Sequence, residues 1–136
     1  MTNGTEWIVE ARGCRAEALC DLALLQEVFA RIITDLNLRA VGQTQWHQFP
    51  APGGITGLTL LAESHLTIHT FPEHNSLCLN LFCCKPREDW DFARNLRTMF
   101  AAEDVEVRRI ERIYNSEELA GVSAQTTSAS AKAGRR

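Results

Sequence analysis

Three apolar, β-rich segments, Ile55 to Ala62, His65 to Phe71 and Leu77 to Cys84, follow one another with only a few residues between them. Parallel neighbours need a crossover of a dozen or more residues, so strands joined this closely must pair antiparallel. Upstream, Pro50-Ala51-Pro52-Gly53-Gly54 forbids regular pairing and predicts a loop after a strand from Arg39 to Phe49. A first strand is predicted from Glu6 to Gly13, where Trp7, Val9 and Ala11 share one side, and a last one from Val105, Val107 and Ile110. Between them, Leu22, Leu25, Phe29, Ile32, Ile33 and Leu36 recur at helical intervals behind a capping Asp21. Trp90, Phe92, Ala93, Leu96, Met99 and Phe100 do the same within a second helix, Glu88 to Ala101. The order β-α-β-β-β-β-α-β predicts an α+β fold, a two-layer sandwich of an antiparallel sheet with both helices on one face.

With 136 residues, this is one domain, spanning 1–114. From 115 to 136 the chain is rich in Ser, Ala, Thr and Gly and is read as a flexible, solvated tail, a partner-binding segment being the less favoured alternative. A net charge of −3 gives no general attraction to phosphates, so neither nucleic acid nor an anionic membrane is expected, and a small molecule or a protein is. No basic stretch precedes an apolar one near Met1, which predicts a cytoplasmic protein. The five cysteines are odd in number and form no Cys-x-x-Cys pair, so free thiols are expected, with neither a disulfide framework nor a metal site.

The informative run is Leu60-Leu61-Ala62-Glu63-Ser64-His65-Leu66-Thr67-Ile68-His69-Thr70-Phe71-Pro72-Glu73, two apolar strands interrupted by Glu-Ser-His. A hydroxyl sits between two ionisable side chains, with a second imidazole four residues beyond the first. Strand alternation puts His65, Thr67, His69 and Phe71 on one face. The residues alone leave three readings of the histidines open: solvated strand positions, acid-base groups, or metal ligands. A Gly-x-Ser-x-Gly elbow is absent, so an ordinary serine hydrolase is poorly supported. Cys84, at the end of an apolar strand, reads on its own as a small buried hydrophobe.

The longer segment Gly57-Leu58-Thr59-Leu60-Leu61-Ala62-Glu63-Ser64-His65-Leu66-Thr67-Ile68-His69-Thr70-Phe71-Pro72-Glu73 resembles the self-cleavage region of prokaryotic S-adenosylmethionine decarboxylase proenzymes, and weaker similarity runs from Glu10 and Cys14 to Arg112. The resemblance implies scission between Glu63 and Ser64, with Ser64 becoming a pyruvoyl cofactor that forms a Schiff base with the substrate amine. It also implies that His69 is the processing base, that Thr56 steadies the intermediate, and that Cys84 is the proton donor in turnover. Glu10 is implied near the site, Phe49 and Phe71 as the aromatic pair around adenine, and Glu73 as the ribose-binding carboxylate. The implied product is decarboxylated S-adenosylmethionine, the aminopropyl donor for spermidine, made by a homodimer of cleaved protomers.

Typical relatives read Asp-Leu-Phe-Thr-Cys-Gly where this chain has Asn80-Leu81-Phe82-Cys83-Cys84-Lys85, and often a tryptophan at Phe71. Asn80 removes a charge, Cys83 a hydroxyl, and Lys85 a glycine; Cys83, on the opposite face from Cys84, is expected to be structural. These departures leave two alternatives: a pyruvoyl-dependent ornithine or arginine decarboxylase, and an unprocessed regulatory homologue. Retention of Phe49, Phe71 and Glu73 favours S-adenosylmethionine over a diamine precursor, and intact Ser64, His69 and Cys84 favour an enzyme.

Overall fold

The computed structural model describes residues 3–115 and 128–133. Its elements are β1 (Asn3–Arg12), α1 (Ala16–Leu19), α2 (Leu22–Asp35), β2 (Gln45–Gln48), β3 (Ile55–Leu61), β4 (Ser64–Phe71), a 3₁₀ turn (Pro72–His74), β5 (Ser76–Cys83), α3 (Phe92–Phe100), β6 (Asp104–Ile113) and β7 (Ser128–Ala133). The strands form one sheet in the order β2-β3-β4-β5-β1-β6-β7, each pair antiparallel. β1 therefore lies between β5 and β6, although it comes first in the chain.

One sheet face is dry. Trp7, Val9 and Ala11 of β1, Leu66 and Ile68 of β4, and Leu77, Leu79 and Leu81 of β5 form a single cluster with Leu25, Val28, Phe29 and Ile32 of α2 and Phe92, Leu96 and Phe100 of α3. Burial of each large side chain stabilises the fold by roughly 1.5–3 kcal/mol. The other face carries Glu6, Ile8 and Glu10, His65, Thr67 and His69, and Cys78, Asn80 and Phe82, and among the described residues no helix covers it. The two-layer α+β sandwich expected from the sequence is the observed architecture.

Local chemistry sets the boundaries. Asp21 accepts a hydrogen bond from the Leu24 amide at the start of α2, and Asp91 accepts one from Arg94 at the start of α3. The Asp91 cap explains why α3 begins at Phe92 rather than at the predicted Glu88, and left-handed Ala101 (φ 56°) ends it. The predicted strand from Arg39 to Phe49 shrinks to Gln45–Gln48 with one isolated bridge from Ala40 to Leu61, since Asn37 (φ 54°) and Gly42 (φ 75°) turn the intervening chain away from the sheet. Within the stretch expected to be a tail, Ser128–Ala133 pairs with β6 from Ile110 to Val105, along the hydrogen-bonding edge that β6 would otherwise leave open. The remainder of that tail lies outside the described residues.

Two contacts fix the registers near the site. Thr70, buried in β4, accepts from the Ile55 amide and donates to the Leu19 carbonyl, both at 2.8 Å, joining β3 and α1 to one hydroxyl. Gly57 lies under the Trp46 ring; a β-carbon there would sit 2.2 Å from the indole, which itself packs 4.8 Å from Phe29.

Candidate active site

β3 and β4 are joined by a two-residue turn, Ala62-Glu63, with Leu61 paired to Ser64. Two-residue hairpins usually place positive φ on loop residues such as Asn or Gly. Here the unusual angle falls on Ser64, at φ 151°. That region is essentially confined to glycine and costs of order 1–3 kcal/mol for a residue with a side chain. The strain thus sits on the residue whose nitrogen belongs to the Glu63–Ser64 peptide bond.

The same bond is held from its other side. The Glu63 carbonyl oxygen accepts a 2.8 Å hydrogen bond from the Cys84 backbone N–H, just past the end of β5. Glu63's side chain is almost fully buried: its carboxylate accepts from the Arg39 amide at 3.1 Å and lies 3.3 Å from the Arg87 guanidinium. Cys84 is half-buried, and its carbonyl accepts from the Tyr114 hydroxyl. Cys83 faces the dry layer, and burial pushes its thiol up to about 11, so it has the structural character expected of it. Lys85 is not among the residues with positive φ, so the loop after Cys84 does not need the glycine that relatives carry there.

The remaining candidates collect at the opposite end of the sheet. His69 pairs across to Thr56, whose hydroxyl is 3.0 Å from Nδ1, and on its other side to Cys78. The row continues to Glu10, which receives a 3.1 Å contact from Arg108. An open groove of about 370 Å³ runs over Ile8, Glu10, Thr67, His69, Cys78 and Asn80. Burial raises the Cys78 thiol above its usual value, and the nearby Glu10 carboxylate adds to this. Phe49, 50% exposed, meets His47 edge-on at 4.5 Å, and Phe71, 36% exposed, ends β4 beside exposed Glu73 in the 3₁₀ turn. Within the chain, Ser64, Glu63 and Cys84 are therefore gathered at one end, and Thr56, His69, Phe49, Phe71 and Glu73 at the other. Five positions of extended chain separate Ser64 from His69 by about 16 Å.

A polar chain on the open face is not evident in the sequence. His65 Nε2 lies 2.8 Å from Asn80 Oδ1, Asn80 Nδ2 donates to Glu6 Oε2 at 2.8 Å, and Arg112 pairs with the other Glu6 oxygen. The Glu6 carboxylate only accepts, so the Asn80 amide must present its NH₂ to Glu6 and its oxygen to His65. His65 Nε2 then carries a proton. Asn80 is therefore more than the loss of a charge, because an aspartate could not donate to Glu6 while ionised. Burial works to raise the Glu6 pKa, but hydrogen bonds from Asn80 and Arg112 and the positive charge of Arg112 outweigh it and hold the carboxyl below its usual value. No individual residue in the sequence marks this network; it exists only because β1, β4, β5 and β6 are in this register. Arg39 and Arg87 were likewise indistinguishable from solvated surface arginines.

The fold and site together define an α+β sandwich that presents a strained Glu-Ser turn at one sheet end and a cluster of ionisable side chains at the other. Residues 5–113 match the family model described as S-adenosylmethionine decarboxylase. A proenzyme of that name from Halalkalibacterium halodurans is 39% identical over 97 residues, 69% of this chain and 72% of the relative. One from Moorella thermoacetica is 33% identical over 110 residues, covering 80% and 86%. The crystal structure of the adenosylmethionine decarboxylase from Aquifex aeolicus superimposes with a TM-score of 0.67 at 25% identity, covering 84% of this chain and 93% of the other. The chain belongs to the S-adenosylmethionine decarboxylase family.

Proposed function

We propose that the chain is a proenzyme that cuts itself between Glu63 and Ser64 and then decarboxylates S-adenosylmethionine, supplying the aminopropyl donor for spermidine synthesis. The observation that carries this reading is the hydrogen bond from the Cys84 N–H to the Glu63 carbonyl. It places a backbone donor on the oxygen that becomes negative when the Ser64 hydroxyl adds to that carbonyl. The Glu63–Ser64 C–N bond then breaks, leaving an ester on Oγ and a free amine on Ser64. Removal of the Ser64 α-proton by His69 breaks the Cβ–Oγ bond, releasing Glu63 as a carboxylate and leaving dehydroalanine. Water converts this to the pyruvoyl ketone with loss of ammonia. The strained φ of Ser64 favours the first step, since the residue is released from its fixed backbone when the amide is lost.

The residues around Ser64 fit such a group: Ser64 is half-buried at the first position of β4, next to half-buried Cys84 just past the end of β5. The ketone supplies an electron-accepting carbonyl for the departing carboxylate. In turnover Cys84 Sγ gives a proton to the substrate's α-carbon, while Phe49 and Phe71 offer flat apolar surfaces for adenine and Glu73 accepts from the ribose hydroxyls. These three residues lie at one end of the sheet, which favours the nucleoside substrate over ornithine or arginine.

Since Ser64 and His69 lie at opposite ends, the complete site in this reading is shared between two copies. The open face carries exposed Leu58, Leu60 and Phe71. Two such faces apposed about a two-fold axis bring the Ser64 end of one protomer to the His69 end of its partner, twice per dimer. Five free cysteines suit a reducing cytoplasm.

Intact mass measurement tests the reading: two fragments divided before Ser64, the second with a pyruvoyl terminus, are expected, and a whole chain of 15.2 kDa defeats it in favour of an unprocessed regulator. Carbon dioxide release from S-adenosylmethionine, ornithine and arginine, assayed side by side, then decides the substrate.

A further inference from the structure

A buried carboxylate at the tip of a two-residue turn needs a reason, because hairpin tips are ordinarily solvated and burying a charge is costly unless it is paired. Glu63 is such a residue: its side chain is 6% exposed. Its main partner is Arg87, whose guanidinium reaches three places at once. Nη2 lies 3.3 Å from Glu63 Oε2, Nε donates to the Leu36 carbonyl at the end of α2 at 3.1 Å, and Nη1 donates to its neighbour Pro86 at 3.1 Å. Arg39 completes the grip. Its amide donates to Glu63 Oε1 at 3.1 Å, its carbonyl accepts from Ala62 at 2.8 Å, and its own guanidinium stands 3.7 Å from Oε2. A turn joining two strands in register needs none of these contacts to form.

Together they tether the Glu63 carboxylate from two directions. With the side chain fixed to α2 and to the Arg39 segment, the Glu63 carbonyl is held against the Cys84 N–H. Arg87 is three residues from Cys84, so the loop carrying the donor and the residue gripping the acceptor are one short piece of chain.

We infer that Arg87, acting through the buried Glu63 carboxylate, is a positioning residue for self-cleavage, holding the scissile carbonyl on the Cys84 amide where the Ser64 hydroxyl attacks it. The inference rests on the self-cleavage reading and adds that the arginine clamp serves scission and not turnover. The clamp acts before the ester forms, so its loss holds the chain back as an intact amide.

The test follows cleavage by intact mass over time in wild type, Arg87→Met, Arg87→Lys and Glu63→Gln, with thermal unfolding of each. A misplacement near 1 Å costs about 100-fold in rate, so cleavage in Arg87→Met and Glu63→Gln is expected to slow about 10- to 100-fold, with partial recovery in Arg87→Lys. Turnover per cleaved Arg87→Met protomer is unchanged. Hydroxylamine, which cleaves esters, releases fragments from His69→Ala but none from Arg87→Met beyond its own slow scission. Should Arg87→Met fail to fold, Glu63→Gln decides, because it leaves no unpaired negative charge in the turn. Wild-type cleavage rates in folded Arg87→Met or in Glu63→Gln overturn the inference while leaving self-cleavage intact. A wild-type chain that stays whole defeats the self-cleavage reading, and the clamp with it.

Discussion

Ser64 and His69 stand five positions apart on β4, Ser64 at its first residue and His69 beside Thr56 near the far end, and an odd separation puts their side chains in rows of opposite facing. In the proposed chemistry the two act on the same atoms. A shared site predicts complementation: His69→Ala alone and Ser64→Ala alone should each remain uncut. Co-expressed with separable tags, they should yield cleaved His69→Ala chains, because these then face a partner with an intact imidazole. Failure of that chain to be cut in purified mixed dimers counts against a site divided between protomers.

Glu6 offers a pH test. Its carboxyl is held below the usual 4.5 by Asn80 and Arg112, whose hydrogen bonds outweigh the opposing effect of burial. A depressed carboxyl pKa contributes stability above the unfolded-state value, and that contribution disappears as pH falls through the folded-state value. The gap in melting temperature between wild type and Glu6→Gln should therefore be full in neutral solution and shrink below about pH 4.5. A gap that widened with acid would contradict the network.

Thr70 is a stability test independent of function. Valine fills nearly the same space but orphans both the Ile55 amide and the Leu19 carbonyl. Urea unfolding in a Ser64→Ala background, where every form is a single chain, should show Thr70→Val less stable by about 1–3 kcal/mol at unchanged m-value. A loss within error would mean that solvent or backbone shifts satisfy both groups.

The thiols should separate by alkylation. Burial pushes Cys14 and Cys83 up to about 11, and both lie inside the core. In mildly alkaline buffer, iodoacetamide followed by peptide mapping should label Cys20 and Cys84 in the native protein and leave Cys14 and Cys83 unmodified until denaturant is added. Labelling of Cys83 as rapid as that of Cys84 would show that the two do not face opposite sides of the sheet.

What the sequence made legible follows from the range of each interaction. Alternation in Trp7-Val9-Ala11 and helical spacing from Leu22 to Leu36 are local and specify one buried side each, so β1 and α2 could be read directly. The Glu63-Ser64 pair stood out through family resemblance. The Asn80 bridge between His65 and Glu6 joins three strands, and nothing within any one of them marks it. The grip of Arg87 on Glu63 depends on where the end of α2 meets the β3–β4 turn. The residues from 39 to 44 looked like a strand because propensity carries no sign of the positive φ values at Asn37 and Gly42. Pairing of Ser128–Ala133 with β6 was invisible for a similar reason: small residues carry no alternation, and it is the free edge of β6 that recruits them.

The place of β1 has a consequence for what scission would leave behind. Cutting between Glu63 and Ser64 assigns β1, β2 and β3 to one polypeptide and β4, β5, β6 and β7 to the other. Across the sheet the two would alternate, with β1 of the first wedged between β5 and β6 of the second. In neither piece are all the strands neighbours, because β4 and β5 part β1 from β2 and β3, and β1 parts β4 and β5 from β6 and β7, so the products would stay interleaved like the fingers of two hands. Once drawn apart by denaturant they would have no independent template on which to reassemble, and the mature form would be reached only by way of the uncut chain.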